Sequence, residues 1–226
     1  MRGAASYFAS RLVVTALFGV VLFSAAGRFD WSRAWLYLGG VLLGEILSEA
    51  VVLAVNPEVL DRRGTLLRPD TKPFDRVFVA LWTPSALATA AVAGLDAGRF
   101  GWSSLPLEAA YAGAVLTAVG YGIGTWAMAV NVYFEPTVRI QTERKHRVIT
   151  SGPYRFVRHP GYAGALLGAL AAPLFLGSAW MFVPVAATVA LFVARTALEE
   201  GALRSELPGY DDYMRRTHYR LLPGVW

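Results

Sequence analysis

The stretch HRVITSGPYRFVRHPGY, residues 146–162, holds five arginine or histidine side chains, two tyrosines, two prolines and two glycines within seventeen residues. Pro153 and Pro160 fix their own φ and bias Gly152 and His159 toward extended backbone. Ser151-Gly152-Pro153 therefore cannot continue a helix, and its amides and carbonyls are left available for a ligand. Tyr154, His159 and Tyr162 offer ring faces and hydrogen-bonding tips at a spacing that could surround one small molecule. A basic loop resting on lipid head groups is the plainer alternative. Head groups ask only for Lys and Arg, however, and have no use for the Gly-Pro-Tyr and His-Pro-Gly-Tyr geometry. A binding site is the better reading.

A second polar cluster, RTALEEGALRSELPGYDDYMRRTHYRLLP, begins at Arg195. Arg195 and Glu199 stand one helical turn apart on one face. A solvated, charge-paired helix end is the ordinary reading of such a pattern, but Arg195 follows directly on an apolar run. Two other features invite chemistry. Glu45 and Glu49 share a face of an apolar helix, where carboxylates are costly and are either functional or bonded to a tyrosine or arginine of a neighbouring span; the two readings are even. Gly120-Tyr121-Gly122-Ile123-Gly124 matches a GxGxG nucleotide pattern, which needs a strand, a turn and a helix N-terminus. Inside an apolar helix, Gly120 and Gly124 are instead spaced as a small-residue packing face.

The elements that carry these residues are apolar. Of 226 residues, 55% are hydrophobic and 16% charged, against about 25% charged in soluble domains, and the mean hydropathy is +0.44. Charge is absent from Leu12 to Gly27, Val77 to Leu95, Ala109 to Phe134 and Pro160 to Ala194. Such windows read as transmembrane helices. Spans are expected near Phe8–Ala26, Ala34–Val55, Val77–Gly94 and Ala109–Phe134. The last window, thirty-five residues long, would reach roughly 50 Å as one helix against a hydrocarbon core of about 30 Å. With Pro173 and Gly177-Ser178 near its middle, it reads as a hairpin of spans 5 and 6. The expected fold is all-α: a polytopic membrane bundle of about six helices in one domain (1–226). Residues 1–134 form four spans, and 135–226 hold the polar segment, the hairpin and a C-terminal tail.

With the N-terminus inside, the outer loops hold only Arg28, Arg33 and Arg99, and the other eighteen of the twenty-one Lys and Arg fall on the inner face. That asymmetry puts both termini in the cytoplasm, at the plasma or inner membrane if the source is bacterial. The net charge of +5 is then an orientation signal, which argues against nucleic acid as a partner. The first span, ending Phe23-Ser24-Ala25-Ala26, loosely resembles a signal peptide, but is read as retained. No cysteine is present, which excludes disulfides and thiol chemistry, and no metal site is expected.

At the two polar clusters the sequence looks like the isoprenylcysteine carboxyl methyltransferase family of membrane enzymes. The resemblance rests on His146 to Tyr154 (HRVITSGPY), Arg158-His159-Pro160-Gly161-Tyr162, Arg195-Thr196 followed by Glu199-Glu200, and Tyr210 and Tyr213 before Leu222-Pro223. It spans roughly residues 139–223; the RHPxY box alone is shared with membrane sterol reductases. It implies S-adenosylmethionine as cofactor and a lipophilic small-molecule or prenylated substrate among membrane lipids. It also implies a cofactor lining of Gln141, His146, Arg147, Val148, Ile149, Gly152, Tyr154, Arg158, His159, Pro160, Gly161, Tyr162, Glu199 and Glu200, with Arg195 as the catalytic residue facing the substrate. The chain departs from the family in a shorter spacing from Gln141 to His146, and in Leu207-Pro208-Gly209 where Phe-Gly is usual.

A carboxylate acceptor is already ionised and needs alignment beside a cation, which a planar guanidinium supplies. A lipid amine would need proton removal, for which Glu199 or Glu200 would be the base. An NADPH-dependent sterol or steroid reductase is the rival enzyme, and a lipid- or partner-binding protein without activity is the third class. Oligomeric state cannot be read from the sequence.

Overall fold

A computed structural model describes residues 2–68 and 71–226, and among them every regular element is helical. Eight α-helices follow in order: α1 (Arg2–Ala26), α2 (Ser32–Val55), the short α3 (Pro57–Arg63), α4 (Pro73–Ala93), α5 (Leu107–Val130), α6 (Pro160–Leu176), α7 (Phe182–Glu206) and the short α8 (Tyr210–Arg216). A π-helical stretch, Gly94–Phe100, extends α4.

Five helices are long and apolar enough to cross a membrane: α1, α2, α4 with its extension, α5 and α7. Val13, Val20, Leu36, Leu47, Val115 and Val183 are each more than half exposed on them, an outward apolar surface that suits lipid. This is a multi-pass membrane protein. The expected hairpin is present, with its turn at Gly177, which takes φ 84° and so a conformation that glycine adopts without strain. Its first arm, α6, has only 17 residues, or about 26 Å of helix, and Pro173 lies inside it rather than at the turn.

Two packing contacts hold the bundle where it matters for the site. Gly120 of α5 meets Gly164 of α6 so closely that a Cβ on Gly164 would lie 2.5 Å from the Gly120 carbonyl oxygen and 3.0 Å from the Gly124 nitrogen. The GxGxG run is thus a helix-packing face, as its setting implied. On the other side, α4 lies along α7, with Ser85 and Thr188 hydroxyls 2.9 Å apart. Because α5 ends at Val130, four residues earlier than expected, 131–159 is free to run irregularly across one end of the bundle.

Candidate active site

The irregular segment folds onto the foot of α7 and the C-terminal tail. The backbone amides of Arg158 and His159 donate to the carbonyls of Tyr219 and Arg220, both at 2.9 Å. The Arg158 guanidinium donates to the carbonyls of Thr217 and His218 at 2.7 Å and to Glu200 at 2.5 Å. Glu200 also accepts from Arg220 at 2.5 Å. These charged bonds are buried and paired, and they anchor the segment rather than exposing it.

Between these elements lies a cavity of about 460 Å³, within the range of small-molecule sites. One wall is polar and aromatic. The His159 ring lies parallel to Tyr162, with centroids 5.5 Å apart, and Tyr162 donates to Glu199 Oε2 at 2.5 Å. His159 Nδ1 is 3.9 Å from the same carboxylate. His146 and Tyr133 pack with centroids 4.1 Å apart, and burial holds the His146 imidazole below its ordinary pKa of 6.5, so it is neutral at pH 7. Its Nδ1 accepts from the Gln141 amide at 3.3 Å. The opposite wall is apolar: Val14 of α1, Val79 and Trp82 of α4, Ala165 of α6 and Phe192 of α7.

Arg195 sits where the walls meet and is 7% exposed. Its Nε donates to Asp75 Oδ1 at 2.8 Å and its Nη2 to the Pro136 carbonyl at 2.6 Å. The guanidinium carbon lies 4.4 Å from the centre of the Phe78 ring and 5.0 Å from that of Tyr162. A buried cation is thus neutralised, flanked by rings and left with Nη1 uncommitted.

Eleven of the fourteen cofactor candidates line this cavity, as does Arg195. Gln141, Gly152 and Glu200 do not. The Gln141 side chain is fully buried, donating to the Tyr133 carbonyl at 3.0 Å and accepting from Arg144 at 2.9 Å. Gly152, at φ 59°, is pressed against Trp126 and Val130. Glu200 is taken up by Arg158 and Arg220. These three shape the wall from behind. Sequence reasoning missed Asp75, Arg63 and the 131–139 stretch. A lone acid opening a span was the available signal for Asp75; Arg63 lay in what read as a polar connection.

Glu45, for its part, is 3% exposed and bonded to Arg11 of α1 at 2.5 Å and to Thr15 at 3.1 Å. Of the two readings of this acid, the structural one prevails. No group of three or more potential metal-ligating side chains occurs among the described residues.

Among the described residues, four buried side-chain polar atoms make no hydrogen bond: Arg63 Nε, Thr117 Oγ1, Tyr210 OH and His159 Nε2, the last with Glu200 Oε1 as an ionic neighbour at 3.4 Å. Three of these four belong to residues that line the cavity. Buried polar atoms are rarely left unpaired, so their concentration at one place marks a site that a ligand completes.

Comparison with known proteins agrees with the motifs. Residues 114–205 match the family model described as "Isoprenylcysteine carboxyl methyltransferase (ICMT) family". That stretch carries this family's pattern. Two rice proteins, from Oryza sativa subsp. indica and subsp. japonica, are each named "Probable protein-S-isoprenylcysteine O-methyltransferase". They are 34% identical to this chain over 113 residues, covering 48% of this chain and 58% of each of theirs. The chain therefore matches a little over half the length of these curated relatives. A solved structure titled as the eukaryotic intramembrane Ras methyltransferase ICMT, without a monobody, superposes with a TM-score of 0.56. The superposition covers 95% of this chain and 75% of that one, at 16% identity, which makes it a likeness of fold.

Proposed function

We propose that this chain is an S-adenosylmethionine-dependent carboxyl methyltransferase acting on a prenylated cysteine or a similar isoprenoid carboxylate. The observation that carries the reading is the cavity's two-sided wall: unpaired polar atoms and aromatic faces on one side, apolar side chains of α1, α4, α6 and α7 on the other. We place the cavity end in the cytoplasm, following the arginine asymmetry, and read the 226 residues as one membrane unit, since the walls draw on both halves of the chain.

The fit to the cofactor rests on the donor set. Adenosylmethionine, when bound, supplies an activated methyl group on a sulfonium. Ring pairs such as the stacked His159–Tyr162 and the tilted Tyr133–His146 suit a flat base or a cation, and Glu199 suits hydroxyl or ammonium groups. The unpartnered Tyr210 hydroxyl offers a further hydrogen bond. The roles then follow. Arg195, fixed by Asp75 and Pro136, offers its free Nη1 to the acceptor carboxylate and holds it in line. Glu199 and the ring pairs hold the cofactor, and the apolar wall takes the lipid tail. Since the acceptor oxygen is already ionised, no residue has to remove a proton, and catalysis is alignment and electrostatics. Excluding water matters equally, because it strengthens the Arg195–carboxylate interaction.

The test is transfer of labelled methyl from adenosylmethionine to a farnesylcysteine derivative, with the product then treated with alkali. Release of the label as methanol identifies a methyl ester. An alkali-stable label would move the acceptor to an amine, and binding of NADPH without adenosylmethionine would replace the reading with a reductase.

A further inference from the structure

Six arginines line the cavity, and four of them already have carboxylate partners. Arg11 is bonded to Glu45, Arg139 to Glu135 and Glu143, Arg158 to Glu200, and Arg195 to Asp75. Arg147 is exposed at the rim. Arg63 differs from all of these. It is the last residue of α3, is half-buried, and its Nε is fully buried without a hydrogen-bond partner. Its guanidinium carbon lies 5.0 Å from the ring centres of both Tyr7 and Phe134. Phe134 in turn covers Gly161, approaching within 2.6 Å of where a Cβ there would stand. Glu49 is close enough to feel the charge of Arg63, but no hydrogen bond joins them.

Two aromatic rings fix the plane of a guanidinium while leaving its edge free, and that edge matches a carboxylate in two-point geometry. A part-desolvated cation with no hydrogen-bonded counter-ion is costly unless an anion arrives. We infer that Arg63 is a carboxylate-binding residue of this cavity, completing the site from the α3 side. The inference rests on the methyltransferase reading, which brings two carboxylates into the pocket: that of the cofactor's amino-acid end and that of the acceptor. Arg195, already balanced by Asp75, is assigned above to the acceptor's carboxylate, which leaves the cofactor's for Arg63; the titration below also separates the converse pairing.

Calorimetric titration of the detergent-purified full chain tests this. The probes are adenosylmethionine, its decarboxylated analogue, a farnesylcysteine derivative and the methyl ester of that derivative, each with wild type, Arg63→Gln and Arg63→Lys. If Arg63 holds the cofactor, Arg63→Gln binds adenosylmethionine at least tenfold more weakly and the decarboxylated analogue unchanged. If it holds the acceptor, adenosylmethionine binding is kept, and the free acid loses at least tenfold while the ester does not. In either case Arg63→Lys recovers part of the loss. A misfolded variant loses all four probes together, and Arg63→Lys, which keeps charge and length, then decides the matter. Its affinity for one of the two carboxylate probes falls, with the matching carboxylate-free probe unchanged, if the fork is used, and both stay at wild-type values if it is not. Wild-type affinities for both acids in whichever variant folds would overturn the inference alone. Failure of wild type to bind adenosylmethionine would overturn the methyltransferase reading, and this inference with it.

Discussion

The two ends of the bundle both bury polar side chains, and they treat them in opposite ways. At the end away from the cavity, Asp96 is fully buried at the close of α4 and accepts four hydrogen bonds. Ser103 N, Ser103 Oγ and Ser178 Oγ donate at 2.6 Å, and Trp180 N at 3.3 Å. The carboxylate ties the loop after α4 to the α6–α7 turn and is satisfied within the protein. At the other end, Arg63 and Tyr210 keep buried polar atoms unpaired around a cavity. A structural polar cluster closes on itself. A binding cluster leaves positions open, at a cost that a ligand offsets. Burial and charge alone would not have separated the two.

Substitutions that act on one end only should sharpen this contrast. The largest effect belongs to Arg195→Ala, expected to lower the methyl-transfer rate by roughly 10²–10³-fold, as removal of a preorganised charge-stabilising donor does. It also strands Asp75 as an unpaired buried charge, so thermal stability should fall in parallel. Asp96→Ala should do the reverse. It removes the acceptor of four donors and should cost about 2–4 kcal/mol of stability, read as a lower unfolding temperature, with adenosylmethionine affinity within twofold of wild type. If that variant lost cofactor binding while still folded, the two ends would not be independent.

Gly164→Ala comes next. Its new Cβ would meet the Gly120 backbone, and overpacking of this kind costs about 1–3 kcal/mol. Since α6 begins at Pro160 in the cavity wall, cofactor affinity should drop along with stability. Glu199→Gln keeps the shape but not the charge, and should weaken adenosylmethionine binding by about tenfold, the scale of one charge-assisted hydrogen bond.

The smallest effect concerns pH. Burial lowers the His146 pKa below the 6.5 of the free imidazole. The unfolded chain therefore takes up its proton before the folded one does as pH falls. The neutral ring's contribution is complete above pH 6.5 and declines below it. Wild type should lose more thermal stability than His146→Gln between pH 7.5 and 5.5. Equal losses would assign His146 no such role.

Much of this was readable from residue order alone. Charge-free windows marked the membrane helices, because lipid excludes charge so strongly that the pattern survives without periodicity. The Gly177-Ser178 turn followed from helix length. The HRVITSGPY and RHPGY stretches stood out because prolines and glycines interrupt helices in a predictable way. What stayed hidden was long-range pairing. Nothing local ties Asp75 to Arg195, 120 positions away, or brings Arg63 beneath Phe134. Equally, Gln141, Gly152 and Glu200 carry the right residue types at the right places in the chain. Only the fold shows that neighbouring side chains occupy them from behind. Glu45 was ambiguous for the same reason: Arg11, on the preceding helix, decides it.

Hydrogen–deuterium exchange of the detergent-solubilised chain, with and without adenosylmethionine, bears most directly on the contrast between the two ends. The expected result is slower exchange on cofactor addition across 131–162 and 195–213, with 94–105 and 177–182 unchanged. Protection confined to the Asp96 end, or no protection anywhere at saturating cofactor, would contradict the assignment of the open polar cluster as the cofactor site.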